Sequence, residues 1–237
     1  MALDGQLIVY LVPRPGTRLA ERLAEFSAAS AGECPNEAHL YPPHVSLTGF
    51  FAAAGASGAD AVADELDAGA DAHVHAGAQQ AAVRGPLVAK NNAVVLLPVD
   101  HTAPLLEWLR ACRTRLVARG VVFDGDAAAV SATATPPAGP FETSAGRSDA
   151  GMRIKRGDHL SLAYLGHHLR LPGRDGAMLG LSPDQIQRLH KLAVAMITDD
   201  DTRDARWDVV LLRMDRQSMH LGVPHAFTEL RRWSLGA

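Results

Sequence analysis

The sequence is short of cysteine, of aromatic residues and of net positive charge. Its two cysteines, Cys34 and Cys112, are too few for a disulfide framework, so we expect free thiols and a reducing compartment rather than a bridge between them. Aromatic residues make up only 5% of the chain. Aspartate and glutamate (26) outnumber lysine and arginine (23), which argues against a broad surface for a polyanion but is compatible with a small phosphorylated ligand.

Long apolar runs are also missing. The first apolar run, residues 7–12, stops at Pro13 and has no basic segment before it, so it is neither a signal peptide nor a membrane span. We therefore expect a cytoplasmic protein without membrane contact, and no pattern indicates an obligate oligomer, so we expect a monomer. With 237 residues, 47% of them hydrophobic and 21% charged, the chain is large enough for a substantial core.

The most distinctive feature of the chain is a four-residue pattern that occurs twice. His44-Val45-Ser46-Leu47 and His159-Leu160-Ser161-Leu162 each place a histidine and a serine two residues apart, with aliphatic residues between and after them. On a β-strand, alternate side chains share a face, so each His and its Ser would project together while the aliphatics enter the core. Two such strands facing each other would gather two imidazoles and two hydroxyls around one cleft.

The order of predicted elements repeats as well, as strand, helix, motif strand, helix, strand, strand. In chain order these are strand 7–12, a helix capped by Thr17, strand 44–51, a helix from Ser57, and strands 76–88 and 93–99. Strand 93–99 also begins the second copy, and it is followed by a helix capped by Thr102, strand 158–165, a helix capped by Ser182, and strands 207–214 and 226–235. The repeat predicts an α+β fold with two lobes related by a pseudo-twofold axis, each holding an antiparallel sheet and helices. We expect one domain, 1–237, with approximate halves 1–90 and 91–237 and the cleft between the lobes.

One long segment, residues 124–157, interrupts this repeat. It is rich in Ala, Thr, Pro, Ser and Gly, shows no periodicity, and ends in the basic residues Arg147, Arg153, Lys155 and Arg156. Two interpretations remain open: a flap that brings positive charge to the cleft, or a solvent-exposed insertion.

Two histidines and two serines can hydrolyse a phosphodiester without a metal ion or other cofactor. A neutral histidine can take a proton from water, a protonated one can give a proton to the leaving oxygen, and serine hydroxyls can hold the phosphate oxygens. A cyclic phosphate suits so small a site, because ring strain supplies part of the driving force and the leaving oxygen stays tethered.

On these residues the chain resembles the two-histidine phosphoesterase superfamily, which is defined by paired His-x-Ser/Thr-x motifs in a bilobal α+β fold. Within it, the chain is most similar to the cyclic phosphodiesterases that act on ADP-ribose 1'',2''-cyclic phosphate and nucleoside 2',3'-cyclic phosphates. That group carries a His-x-Ser-x-x-Tyr strand, matched by His159, Ser161 and Tyr164. It also places an aromatic residue shortly before a proline on the first strand, matched by Tyr10 and Pro13.

The resemblance implies roles for six residues: the acid–base pair His44 and His159, the phosphate-binding Ser46 and Ser161, and Tyr10 and Tyr164 beside the base or ribose of the substrate. Strict alternation puts Tyr164 on the strand face opposite His159 unless the strand bulges or ends there. The symmetry of the motifs does not assign the acid and the base. We take His159 as the group that activates water and His44 as the group that protonates the leaving oxygen.

The expected substrate is a small nucleotide-like cyclic phosphate, and an RNA terminus is also compatible. The slightly acidic charge favours small substrates over long RNA. Two alternatives are a nucleotide- or RNA-end-binding module that has the cleft but no turnover, and a zinc hydrolase that uses His73, His75, His167 and His168. No acidic or thiol partner accompanies these histidines at ligand spacing, so we favour surface histidines and expect no metal site.

Overall fold

A computed structural model describes residues 3–54, 58–70, 81–90, 94–123, 152–165, 181–218 and 220–236. Within these ranges the chain is a mixed α/β fold with five α-helices and an open antiparallel sheet. The strands are β1 (Leu7–Pro13), β2 (Val45–Ser46), β3 (Ala53–Ala54), β4 (Ala82–Val83), β5 (Val88–Lys90), β6 (Val94–Asp100), β7 (Val122–Phe123), β8 (His159–Tyr164), β9 (Trp207–Arg216) and β10 (Ala226–Ser234). The helices are α1 (Arg18–Glu33), α2 (Gly58–Ala70), α3 (Ala103–Ala118), α4 (Pro183–Met196) and α5 (Asp199–Arg203), and a 3-10 turn spans Glu37–Leu40.

The main sheet has the order β10-β9-β1-β2-β8-β6-β4, with β5 also paired to β6, while β3 and β7 form a separate pair. The main predicted elements occur in the predicted order, but the described part of the predicted strand 76–88 forms two short strands, β4 and β5, and β3, β7 and α5 were not predicted. The strands of the predicted halves 1–90 and 91–237 are interleaved. The first strand of the first half, β1, pairs with β9 of the second half, and β4 and β5 pair with β6. The sheet runs continuously through the β2–β8 pair, so it does not divide at residue 90.

The helices begin where side chains can satisfy their first backbone N–H groups. The Thr17 hydroxyl accepts a hydrogen bond from the Ala20 backbone at the start of α1, and Ser182 and Gln185 form a reciprocal capping box at the start of α4, as predicted. Thr102 does precede α3, but its side chain makes no capping hydrogen bond. Its backbone is already helical, with φ −85° and ψ −10°, rather than in the extended conformation that a capping hydroxyl requires.

The helices cover one face of the sheet, and β1 is buried on both faces. Its residues Leu7, Val9 and Leu11 pack into the main core together with the apolar sides of α1 to α4. The alternate residues, Ile8, Tyr10 and Val12, join a second apolar cluster on the opposite face. Polar side chains on that second face of β2 and β8 are therefore not covered by the helices.

The predicted strand 44–51 is interrupted after Ser46. The backbone N–H groups of Leu47 and Thr48 both donate to the Val9 carbonyl, at 3.1 and 3.2 Å, and the Thr48 hydroxyl accepts from the Val9 N–H at 2.9 Å. Because two consecutive N–H groups share one acceptor, this strand has one residue more than β1 at that point. Regular pairing resumes where Phe51 and Leu7 exchange two backbone hydrogen bonds. The hydroxyl of Thr48 therefore replaces one rung of the ladder.

The remaining predictions concern the two thiols, membrane-spanning segments and residues outside the described ranges. Cys34 and Cys112 are buried free thiols, as expected. Among the described residues, no helix has both the length and the apolar character to cross a membrane. The predictions that concern Ser57, His73, His75, Arg147, His167 and His168, and most of the segment 124–157, lie outside the described residues.

Candidate active site

The two His-x-Ser motifs meet at the centre of the sheet. Val45 of β2 is paired with Leu160 of β8, and both side chains are fully buried in the main core. Continuing the antiparallel register by one residue each way sets His44 opposite Ser161 and Ser46 opposite His159. The four polar side chains share the sheet face that the helices leave uncovered, and in the register each histidine lies opposite the serine of the other motif.

These four side chains line one open cleft of about 780 Å³. The cleft is also bordered by Tyr164 of β8, by two aliphatic residues of β6 and by the segment that leads into β8. Its lining residues are His44, Ser46, Val94, Leu96, Arg153, Ile154, Lys155, Arg156, Gly157, Asp158, His159, Ser161 and Tyr164. Five of the six predicted site residues are among them, and Tyr10 is not.

Tyr164 reaches the cleft because β8 contains a β-bulge. Ser161 pairs with Leu96 of β6 but Ala163 pairs with Val95, so one residue of β8 is left over between them. Leu162 and Ala163 are both buried, and Tyr164 returns to the face of Ser161. Strict alternation would have placed Tyr164 on the helical side, and the bulge reverses that result.

His44 is held by contacts on several sides of its ring. Its Nδ1 donates to the Pro42 carbonyl at 2.7 Å, which leaves Nε2 unprotonated in the neutral ring and 3.1 Å from the Ser46 hydroxyl. The Tyr10 ring stacks on the imidazole with centroids 3.7 Å apart and planes 23° apart. Tyr41 approaches from another side, with centroids 5.7 Å apart.

The surroundings of His44 favour its neutral form. Burial against Tyr10 and the sheet removes water that would stabilise the imidazolium, and the nearby His159 adds repulsion. The hydrogen bond to Pro42 acts in the opposite direction but does not compensate, and the pKa of His44 is lowered to about 4. At neutral pH this imidazole is a proton acceptor.

His159 differs from His44 in both exposure and partner. About 46% of its side chain is exposed, and its Nδ1 donates to the Asp158 carboxylate at 2.6 Å. Partial burial would raise the pKa of Asp158, but the hydrogen bond from His159 and the charge of Arg156 outweigh it, and the pKa lies below its usual range. Asp158 is therefore an anion at neutral pH, and its hydrogen bond with Nδ1 leaves Nε2 of His159 for the cleft.

Positive side chains enter the cleft on a short extended segment. The Gly49 N–H donates to the Arg153 carbonyl at 2.8 Å, the Lys155 N–H donates to the Leu47 carbonyl at 2.9 Å, and Ile154 forms a bridge with Thr48. Residues 153–155 thus extend the sheet beside the continuation of β2. Of the two interpretations of this basic segment, its described part fits the one that brings charge to the cleft.

Gly49 and Gly157 shape the path of this segment. A Cβ atom on Gly49 would lie 3.6 Å from Lys155 Cε, so the lysine side chain lies across the glycine. Gly157 has φ +61°, and a Cβ atom on it would lie 3.2 to 3.4 Å from side-chain atoms of Leu47, Leu106 and Thr102, so a side chain there would be both strained and crowded. The turn at Gly157 directs the chain from the basic segment into Asp158 and His159.

All three tyrosines of the chain gather at this site, although only two were predicted there. Burial raises the pKa of Tyr10 and Tyr164 well above the usual value, and each is raised further by Tyr41. Burial also raises the pKa of Tyr41, with the Glu37 carboxylate adding to it. All three hydroxyls therefore stay protonated at neutral pH.

Sequence reasoning missed Asp158, Tyr41 and Pro42 as parts of the site. The signal was present in each case, because Asp158 directly precedes the second motif and Tyr41-Pro42-Pro43 directly precedes the first. Tyr10 was predicted beside the substrate, but it is 1% exposed and lies behind His44.

Among the described residues, no group of three or more His, Cys, Asp or Glu side chains is arranged to hold a metal ion. Neither a scan against protein-family models nor a search of curated proteins finds a match.

Proposed function

We propose that the protein is a phosphodiesterase that hydrolyses small cyclic phosphates, such as a nucleoside 2',3'-cyclic phosphate or ADP-ribose 1'',2''-cyclic phosphate, by histidine acid–base catalysis without a metal ion. The observation that carries the proposal is the Val45–Leu160 register, which brings two imidazoles and two hydroxyls onto one face of one cleft. Such a set supplies a base, an acid and neutral donors to a phosphate held between them.

The electrostatics support a division of labour opposite to the one taken from the sequence. His44 is neutral at pH 7 with Nε2 as its acceptor, so it suits the role of base. His159 is the second imidazole of the cleft; its Nδ1 is bonded to an anionic carboxylate and its Nε2 is left for the cleft, so it takes the role of acid. The same residue type in two environments can thus serve two functions.

In the proposed reaction, His44 Nε2 takes a proton from water as the oxygen attacks phosphorus. The ring P–O bond breaks, and His159 gives its proton to the leaving ribose oxygen, which yields a phosphomonoester. Exchange with solvent returns His44 to its neutral form and His159 to its protonated form. Acid–base catalysis of this kind contributes roughly 10²- to 10⁴-fold.

The remaining side chains of the cleft would hold the substrate. Ser46 and Ser161 are the hydroxyl donors for the phosphate oxygens, and the hydroxyl of Ser46 would turn from His44 to the phosphate when substrate binds. Arg153, Lys155 and Arg156 offer positive charge at the rim, and Tyr164 offers an aromatic face for a base.

We also propose the two-lobed arrangement, the cytoplasmic location and the monomeric state that the sequence analysis led us to expect. In this proposal the cleft is the boundary between two pseudo-twofold-related lobes, which join at β2 and β8. The enzyme would act as a cytoplasmic monomer on small substrates, and an RNA terminus remains a candidate substrate because the cleft is open.

Hydrolysis of 2',3'-cyclic AMP with and without EDTA tests this function. We expect turnover that is unchanged by EDTA and that falls about 10²- to 10⁴-fold in His44→Ala protein that keeps its thermal unfolding transition. Activity that EDTA removes would identify a metal-dependent hydrolase. Binding of the nucleotide without turnover would identify a binding module of the same fold.

A further inference from the structure

The contacts of Tyr10 give this residue a different role from the one expected beside the substrate. Tyr10 is paired with Ser46 on one side and with Val210 on the other, so it lies in the middle of three adjacent strands. Its ring is 1% exposed, and it does not line the cleft. Its closest aromatic neighbour is His44, 3.7 Å away and nearly parallel.

The position of Tyr10 is itself fixed by the apolar cluster around it. This cluster contains Ile8, Val12, Leu40, Tyr41, Val210, Leu212 and Met214, with Leu3, Phe50 and Phe227 packed against it. Phe227 meets the Tyr10 ring edge-on at 6.4 Å. A buried ring of this size with close neighbours on all sides has little freedom to move.

The stack restricts His44 in a direction that its hydrogen bonds leave open. The bonds to Pro42 and Ser46 hold the two ring nitrogens, whose N–H and lone pair are directed in the plane of the imidazole. They do not stop the ring from tilting out of that plane. The Tyr10 ring blocks tilting on one face and also keeps water from that face.

On these observations, and resting on the proposed function, we propose that Tyr10 is a positioning residue that acts through His44. It holds the imidazole plane so that Nε2 stays directed at Ser46 and the cleft, and it shields one face of the ring from water. It packs on the flat face of the imidazole and does not line the cleft that would hold the substrate.

The effect of Tyr10 on His44 must be distinguished from the effects of other titratable groups nearby. Tyr41 lies on the loop that precedes His44 and His159 lies on β8, and the cleft also contains Arg153, Lys155, Arg156, Asp158 and Tyr164. Replacement of Tyr10 leaves all of them in the chain, so a change in His44 that follows this replacement reports on the stack.

The test compares Tyr10→Leu and Tyr10→Phe with Met214→Ala as a matched control. Met214 is buried in the same cluster, so its truncation loosens the packing without removing the aromatic face of His44. Two readouts are measured for each variant: steady-state hydrolysis of 2',3'-cyclic AMP, and the NMR titration of the His44 ring protons. The NMR titration does not require turnover, so it tests the role of Tyr10 even if the proposed function fails.

For Tyr10→Leu we expect kcat to fall about 10- to 100-fold, with KM within about twofold of wild type, because the base is misaligned while the binding surface is intact. The His44 titration should move upward, toward the ordinary value for histidine, as water reaches the exposed face. Tyr10→Phe and Met214→Ala should keep the wild-type titration. If Tyr10→Leu leaves the His44 titration where Met214→Ala leaves it, or changes KM rather than kcat, the positioning role is overturned.

Discussion

At the scale of single residues, the site depends on how differently its two histidines are surrounded. His44 is stacked against a buried ring and bonded to a carbonyl, while His159 is half exposed and bonded to a carboxylate. The sequence shows the two motifs as equivalent, because the Tyr10 stack comes from another strand and could not be derived from local spacing. Asp158, in contrast, is adjacent to His159 in the chain and could have been recognised.

The pH profile provides a prediction at this scale. His44 must be neutral to accept a proton, and its folded-state pKa is lowered from 6.5 to about 4. Activity that requires the neutral ring is therefore retained above about pH 4 and lost as the pH falls through that value. We expect the acid limb of kcat/KM for 2',3'-cyclic AMP to lie well below pH 6.5, in buffers chosen to keep the protein folded. An acid limb near pH 6.5 would mean that burial does not lower the pKa of His44.

At the scale of elements, irregularities in two strands build the cleft. The bulge in β8 turns Tyr164 into the cleft, and the interruption after Ser46 leaves space for residues 153–155 beside the continuation of β2. Hydrophobic periodicity and helix caps predicted the order of the longer strands and helices, but not the short elements β3, β7 and α5. The irregularities could not be predicted, because they depend on contacts with neighbouring strands. One such contact is the hydrogen bond from the Val9 N–H to the Thr48 hydroxyl.

The basic segment gives a prediction at this scale. Lys155→Gln removes one positive charge from the rim of the cleft and leaves the backbone ladder intact. We expect KM for a cyclic nucleotide to rise about five- to tenfold, about 1 to 1.4 kcal/mol, with little change in kcat, and its salt dependence to weaken. Arg110→Gln, on the exposed side of α3, is the matched control. Equal effects of the two substitutions would contradict a local role for Lys155.

At the scale of the whole molecule, the two predicted halves are built into one sheet. The order of the longer strands and helices could be predicted, because strand and helix periodicities are local properties. It did not indicate which strands pair, since β1 finds its partner β9 nearly two hundred residues later in the chain. Long-range pairing depends on packing of the complete sheet, which no local pattern encodes.

The interleaving leads to a prediction about fragments. Residues 1–90 expressed alone leave β1 without β9, and β4 and β5 without β6. Because these edges and their buried faces would be exposed, we expect no cooperative thermal unfolding transition and poor dispersion of amide resonances. Addition of residues 91–237 should restore both. Cooperative unfolding of the fragment by itself would show that the first half is an independent lobe.

The central claim is that His44 and His159 work as one acid–base pair across the β2–β8 contact. The most direct test is turnover of 2',3'-cyclic AMP by His44→Ala, His159→Ala and the double variant, each checked for an unchanged unfolding transition. We expect each single variant to lose about 10²- to 10⁴-fold in kcat, and the double variant to be little worse than the poorer single one. Wild-type turnover in either single variant would contradict the account.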